Sequence, residues 1–195
     1  YSHRFDPDTP LEETLQALVD IVRRGKALYA GISRWPLEAT RFALDYLRRH
    51  DTPCLLYQGR LNMIDREPAD SGVLDEVASG GAGFVSFSPL AQGLLTDRYL
   101  EGVPAGSRIS LGRSLPESRL TPEFIEKIRK LNVLASDRGQ TLAEMALGWV
   151  LNDRRVTSVI VGCSSVGQMG DIVKAVDCAA FTARELEIID TILDF

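Results

Sequence analysis

Four short apolar segments alternate along this chain with stretches whose apolar residues recur at helical spacing. The apolar segments span residues 27–32, 54–58, 83–87 and 156–161. Alternation of buried strands with helices is typical of a parallel sheet whose faces are covered by helices. Both a doubly wound sheet and a barrel fit this pattern. No segment is followed by the G-x-G-x-x-G fingerprint of the doubly wound dinucleotide fold, which favours the barrel.

Capping residues mark several helix boundaries. Thr9 precedes a helical apolar pattern and is followed by Glu12, so the pair predicts a capping box at the first helix. Gly25 predicts the end of that helix, because glycine readily takes the left-handed conformation that closes helices. Thr141 and Glu144 predict a second capping box.

Composition excludes several classes of function. The chain has 195 residues, of which 45% are hydrophobic and 25% charged, as in globular proteins. No linker or low-complexity segment divides it, so we expect one domain over residues 1–195. A net charge of −5 without a Lys/Arg stripe argues against a nucleic-acid partner. No apolar run reaches the roughly 18 residues of a membrane span.

Cysteine and histidine are too sparse for a metal or disulfide site. Cys54, Cys163 and Cys178 are widely spaced and odd in number, so they fit neither a zinc pattern nor a disulfide framework. Their use favours a reducing, cytoplasmic setting. The two histidines, His3 and His50, are too few for a histidine-rich metal site. We therefore expect no bound metal, and we disfavour a metal-dependent barrel hydrolase.

Each apolar segment ends in polar or aromatic residues, where barrel enzymes place their sites. These residues are Ser33, Gln58, Phe87 with Ser88, and Gly162 to Ser165. A further segment, residues 88–120, is rich in Gly, Pro, Ser and Arg and is too long for a simple connector. Loops of this length are often functional.

Five motifs in chain order resemble the aldo-keto reductase family. Residues 25–34 are similar to its fifth strand, and residues 87–96 are similar to its seventh-strand motif. The other three motifs are residues 1–14 for the end of strand four and the next helix, Gln58 with Asn62 for strand six, and residues 159–168 for strand eight and its phosphate loop. The resemblance is to the potassium-channel beta-subunit-like and bacterial glyceraldehyde-3-phosphate reductase-like branches.

The resemblance implies a (β/α)8 TIM barrel of the α/β class. The chain would hold strands five to eight and the end of strand four, with the N-terminal part of the barrel missing. A complete barrel typically has about 250 residues. Open sheet edges invite pairing. We therefore expect these edges to be covered either by the missing part or by another chain, such as a second copy in a homo-oligomer.

The resemblance also implies NADPH-dependent reduction of small aldehydes or ketones to alcohols. His3 matches the catalytic histidine, which would donate a hydrogen bond to the substrate carbonyl oxygen. The family's tyrosine acid, with its lysine and aspartate, lies on earlier segments, and none of the five tyrosines here sits in that motif. We expect this chain alone to be incomplete for catalysis. A non-catalytic cofactor-binding or regulatory subunit of the same fold is the alternative.

Four positions match the residues that hold the nicotinamide in the family. Ser33 and Gln58 match residues that hydrogen-bond its carboxamide, and Arg34, also expected to bind the cofactor, stands where many relatives carry Asn. Phe87 matches the aromatic residue that stacks on the nicotinamide ring. Leu61 departs from the pattern, because a Tyr usually precedes the Asn of the sixth-strand motif.

Further positions match residues that approach the cofactor's phosphates. The expected pyrophosphate contacts are Ser88, Leu90, Gln92 and Gly93. The expected contacts at the adenosine end, where a helix N-terminus attracts phosphate, are Gly162, Ser164, Gln168 and Asp171. Arg108 is the candidate for the 2′-phosphate, because a guanidinium grips phosphate through two parallel bonds. Ile172 stands where relatives have an Asn facing the adenine.

Overall fold

The structure, a computed structural model, describes residues 1–107, 109–112, 115–178 and 180–195. Within them the chain separates into two compact units. The sheet unit comprises Tyr1–Leu61, Arg66–Phe87 and Asp153–Ile160, and the helical unit comprises Asn62–Asp65, Ser88–Asn152 and Val161–Phe195. The single domain expected over residues 1–195 stays a prediction.

Four parallel strands form the sheet unit's sheet, which confirms the predicted parallel arrangement. In spatial order they are β1 (Ala30–Ser33), β2 (Cys54–Arg60), β3 (Gly83–Phe87) and β4 (Val156–Ile160). The helices of this unit are α1 (Leu11–Arg23), α2 (Leu37–Arg49), α3 (Glu67–Asp70) and α4 (Val73–Ser79).

The core of the sheet unit lies on one face of this sheet. Tyr57 of β2 and Phe84 of β3 are register partners, and their rings stack with centroids 5.6 Å apart. Gly59 lies against this pair, because a Cβ at that position would come within 2.5 Å of the Phe84 ring. Leu15 of α1 and Leu47 of α2 are fully buried, as expected for helices that cover the sheet.

The first strand begins later than the sequence predicted. Leu28 and Tyr29 are 85% and 66% exposed, and β1 starts only at Ala30, which pairs with Cys54. Apolar content alone predicted a strand over residues 27–32. The backbone of this segment pairs only from residue 30 onward, so the predicted strand was too long at its start.

Residues next to the chain start lie alongside β1. Ser2 forms a parallel bridge with Ile32, in which the Ser2 N–H donates to the Gly31 carbonyl at 3.0 Å. The Ser33 N–H in turn donates to the Ser2 carbonyl at 2.9 Å. This is the position that the end of a preceding parallel strand would take.

The predicted caps have mixed outcomes. Pro10, and not Thr9, takes the N-cap position of α1, and the Thr9 hydroxyl donates instead to the Asp6 carboxylate at 2.7 Å. The Thr9 prediction was wrong because α1 begins at Leu11 with Pro10 at its N-cap, so Thr9 lies one residue outside the cap. Gly25 does follow the end of α1 with a left-handed φ of 68°. The capping box of Thr141 is confirmed by its N–H donating to the Glu144 carboxylate at 2.7 Å.

The helical unit is built on its own core. Its helices are α5 (Pro122–Asp137), α6 (Leu142–Asn152), α7 (Val166–Lys174) and α8 (Ala183–Leu193). Short 3₁₀ turns lie at Ala91–Gly93, Asp97–Tyr99, Glu117–Arg119 and Ala175–Asp177. The largest buried side chains of this core include Leu95, Leu131, Leu142 and Met145.

An ion pair joins two helices of this unit. Arg138, whose side chain is 8% exposed, follows α5 and pairs with Glu185 in the first turn of α8. Its guanidinium also lies over the Phe181 ring, 4.1 Å from the centroid. In the part of the chain that the structure describes, no helix has both the length and the apolar character needed to cross a membrane.

Candidate functional site

The carboxyl ends of the strands align three predicted site residues in one row. Ser33 and Gln58 are register partners on β1 and β2. Ser2 bridges Ile32, so His3 takes the next register position, beside Ser33. Matching positions on neighbouring parallel strands point to the same face of a sheet. His3, Ser33 and Gln58 therefore share one face, opposite to the Tyr57–Phe84 core.

Phe87 lies on the same face as Gln58, one pleat further along. Gln58 pairs with Val85 of β3, and Phe87 follows Val85 by two residues. Phe87 is half-buried at the end of the strand. A flat ring and an amide on one face are the groups that can hold a heteroaromatic ring bearing a carboxamide.

The Ser33 hydroxyl is buried without a partner. Ser33 is 2% exposed, and among the described residues its Oγ finds no hydrogen bond. An unsatisfied buried hydroxyl costs about 1–3 kcal/mol. Such a group beside an amide is suited to a polar ligand, and it can both donate and accept a hydrogen bond. These residues fit a nicotinamide carboxamide.

Arg34, which directly follows β1, is bonded to β2 through its backbone. Its φ is 58°, a left-handed conformation uncommon for a residue with a long side chain. Its N–H donates to the Gln58 carbonyl at 3.2 Å, which links the backbones of two predicted site residues. The Arg34 side chain is exposed.

Tyr57 does not qualify as a proton donor for this face. Burial raises the pKa of Tyr57 to about 12. Its hydroxyl donates to the Trp35 carbonyl at 2.8 Å, and its ring belongs to the core. This agrees with the sequence, in which no tyrosine matches the family's catalytic motif.

An aromatic pair to which the sequence patterns assign no role lies next to the row. Phe5 and Trp35 follow His3 and Ser33 by two residues each, and their rings meet edge to face with centroids 5.8 Å apart. Trp35 is buried. Aromatic residues just beyond strand ends were the signal that could have pointed to this pair.

In the helical unit, the predicted pyrophosphate residues form one tight loop. The backbone φ angles of Ser88, Ala91 and Gln92 are 53°, 46° and 61°, and that of Gly93 is 100°. The Gly93 N–H donates to the Leu90 carbonyl at 2.8 Å, so this amide is engaged within the loop. Clustered left-handed residues of this kind are found at ligand-binding loops.

The other predicted phosphate residues surround the start of α7. The Ser165 hydroxyl accepts from the Gln168 N–H at 3.2 Å and caps the helix. The Gln168 side-chain oxygen accepts from the Ser164 N–H at 2.9 Å and from its hydroxyl at 3.1 Å. Ser164 and Gln168 are thus brought together at a helix N-terminus, which favours anions.

Two further residues of this set lie beside that helix start. Gly162 is exposed ahead of the loop. Asp171 pairs with Lys174 at 2.9 Å on the exposed side of α7, so its carboxylate is engaged on its own helix. Arg108, predicted for the 2′-phosphate, lies outside the described residues.

Comparisons with known proteins bear on the family. The Aldo/keto reductase family model matches residues 1–194. The chain is 43% identical over 194 residues to the L-glyceraldehyde 3-phosphate reductase of Escherichia coli K12, covering 97% of this chain and 56% of that protein. It is 32% identical over 190 residues to a probable voltage-gated potassium channel subunit beta of Oryza sativa subsp. japonica, and the match covers 95% of this chain and 58% of that protein.

A solved structure has the same fold. The crystal structure of a thermostable aldo-keto reductase in complex with the inhibitor epalrestat superposes with a TM-score of 0.70 at 23% identity, covering 97% of this chain and 57% of that one. The chain thus spans little more than half the length of the proteins it matches. The resemblance in the sequence is confirmed, and the chain belongs to the aldo/keto reductase family.

Proposed function

We propose that the protein is an NADPH-dependent oxidoreductase that reduces small aldehydes or ketones to alcohols. The observation that supports this best is the row of His3, Ser33 and Gln58 on one face of the sheet, with Phe87 one pleat further on that face. These residue types in this order suit a nicotinamide and a carbonyl substrate.

In this proposal the chain binds and orients the cofactor. Ser33 and Gln58 hydrogen-bond the carboxamide, which fixes the ring face that meets the substrate. Phe87 covers the ring and excludes water. Arg34 is a further cofactor-binding position, next to Ser33. The remaining contacts are to the phosphates, from Ser88, Leu90, Gln92, Gly93, Gly162, Ser164, Gln168 and Asp171. When bound, NADPH supplies the hydride, as is usual for cofactors that carry the difficult chemistry.

His3 acts on the substrate. Its imidazole N–H donates a hydrogen bond to the carbonyl oxygen, which orients the carbonyl and stabilises the negative charge that develops there. The proton for that oxygen comes from a tyrosine in the family pattern, and no tyrosine of these 195 residues matches it. We therefore expect these residues alone to reduce carbonyls poorly.

A small phosphorylated aldehyde is one substrate to test. The Escherichia coli relative is an L-glyceraldehyde 3-phosphate reductase. In this chain Arg4 and Arg34 directly follow His3 and Ser33, and both are exposed. Cations next to the proposed carbonyl position favour an anionic substrate. A lower KM for glyceraldehyde 3-phosphate than for glyceraldehyde would support this, and equal values would exclude it.

The second candidate is a cofactor-binding subunit without catalytic function. It is favoured by the 32% identity to a probable potassium channel subunit beta. It predicts that NADPH binds but is not oxidised when aldehyde is added.

One experiment separates these functions. The intact mass of the purified protein is measured first, then NADPH binding by fluorescence, and then aldehyde-dependent NADPH oxidation. Binding with turnover supports the reductase, and binding without turnover at a mass well above 21.5 kDa supports the subunit. Binding without turnover at a mass of 21.5 kDa agrees with the expectation that this chain alone is incomplete for catalysis. Failure to bind NADPH would exclude both.

A further inference from the structure

The buried side chain of Asn62 uses both ends of its amide. Its Nδ2 donates to the Asp65 carboxylate and to the Ser88 carbonyl, each at 3.0 Å. Its Oδ1 accepts from the N–H groups of Ile64 at 3.0 Å and Asp65 at 2.9 Å. Asn62 is fully buried, so these bonds are made away from solvent. A carboxylate could not donate and an apolar side chain could make none of these bonds.

The bond to Ser88 holds a loop in a costly conformation. The Ser88 carbonyl also accepts from the Ala91 N–H at 2.9 Å, so one oxygen joins Asn62 to the turn at residues 91–93. Ser88, Ala91 and Gln92 all have left-handed φ angles, which residues with side chains rarely adopt. Such a loop persists only when surrounding bonds over-determine it.

We infer that Asn62 is a positioning residue for cofactor binding, acting through the Ser88 carbonyl on the loop of residues 88–93. The inference rests on the proposed function, in which Ser88, Leu90, Gln92 and Gly93 contact the pyrophosphate. Asn62 itself does not contact the cofactor. It holds the loop ready, so that binding does not have to order it.

The test replaces Asn62 by a side chain of similar size that cannot hydrogen-bond. Asn62→Leu is expected to raise the Kd for NADPH about 10-fold, a change typical of losing one well-placed interaction. The exposed Asn152, replaced in the same way, serves as the matched control and is expected to bind as the wild type does. NADPH fluorescence gives the Kd, and thermal unfolding gives the Tm of each variant.

A second substitution separates positioning from mere stability. Ala91→Gly removes the strain of a left-handed alanine at φ 46°. Added to Asn62→Leu, it is expected to recover at least roughly threefold of the lost affinity at a temperature well below the Tm of both variants, because glycine takes the left-handed conformation without the strain of alanine.

The measured Kd and Tm values distinguish a positioning role of Asn62 from a purely structural one. Weaker binding that Ala91→Gly rescues supports the positioning role. Unchanged binding in Asn62→Leu overturns it, as does weaker binding that follows the Tm and is not rescued. If the wild type itself fails to bind NADPH, the proposed function fails and this role falls with it. If the wild type binds and Asn62→Leu binds equally, only this role fails.

Discussion

Ser33 and Gln58 occupy paired positions on β1 and β2, and the Ser33 hydroxyl, although buried, has no partner among the described residues. A second buried serine, Ser86 of β3, differs in this respect, because its hydroxyl donates to the Leu61 carbonyl at 2.7 Å. The two serines form a natural pair for separating binding from stability.

Ser33→Ala should raise the free energy of unfolding, by up to the roughly 1–3 kcal/mol that an unsatisfied buried hydroxyl costs, since it removes no hydrogen bond seen among the described residues. It should raise the Kd for NADPH about 10-fold, because the carboxamide loses a partner. Ser86→Ala should lower the free energy of unfolding by roughly 1–3 kcal/mol, because the Leu61 carbonyl loses its donor. It should leave the Kd for NADPH close to that of the wild type. Denaturant titration and fluorescence binding check both. A Ser33→Ala protein that binds NADPH normally would remove Ser33 from the proposed site.

Phe87→Leu should weaken NADPH binding by about 10-fold, because a branched aliphatic side chain lacks the flat face that covers the nicotinamide ring. Phe84→Leu is the control, since Phe84 lies in the core and faces Tyr57. That variant should have a lower free energy of unfolding, but its folded fraction should bind NADPH with the Kd of the wild type. Equal affinity losses in the two variants would contradict the placement of Phe87 against the cofactor.

The stability of the helical unit should depend on pH through Glu185. Hydrogen bonds from the Thr182 backbone and side chain, and then the pairing with Arg138, lower the pKa of Glu185 to about 2 from its ordinary 4.5. The unfolded chain therefore binds the proton more readily, so stability is fully present above about pH 4.5 and is lost as the pH falls toward 2.

Glu185→Gln should reduce the slope of the unfolding free energy against pH between 2 and 4.5, because glutamine does not titrate. Thr182→Val keeps the side-chain shape and leaves Arg138 in place, but it removes the hydroxyl that donates to Glu185. It should therefore reduce this slope only partly. A slope in Glu185→Gln that matches the wild type would show that other carboxylates cause the acid sensitivity.

The single domain expected over residues 1–195 implies one cooperative unfolding transition. Calorimetry should then give equal calorimetric and van't Hoff enthalpies. Two separated transitions, or a calorimetric enthalpy well above the van't Hoff value, would contradict the expectation and would favour independent folding of the two compact units.

The sequence predicted the features that depend on local pattern. The order and parallel direction of the strands followed from four apolar segments between helices, and Gly25 and Thr141 marked their helix boundaries correctly. The family followed from strand-end motifs. The prediction for Thr9 was wrong because the order Thr9-Pro10 does not by itself tell which of the two residues takes the N-cap position.

Other features could not be read from a pattern. One of the four side-chain bonds of Asn62 reaches the Ser88 carbonyl, 26 positions away, and Ser33 looks like any strand-end serine until its burial is known. The exposure of Leu28 and Tyr29 depends on where backbone pairing begins, which apolar composition does not encode. Long-range burial and pairing are set by tertiary packing, and local sequence carries little of that information.

The bridge between Ser2 and Ile32 has a consequence for mutational tolerance. The position of His3 is fixed by main-chain hydrogen bonds of the preceding residue, because the Ser2 N–H donates to the Gly31 carbonyl and the Ser2 carbonyl accepts from the Ser33 N–H. Most side chains should therefore be accepted at position 2. Proline should not, because it has no N–H to give to Gly31 and would let the imidazole drift from its neighbours.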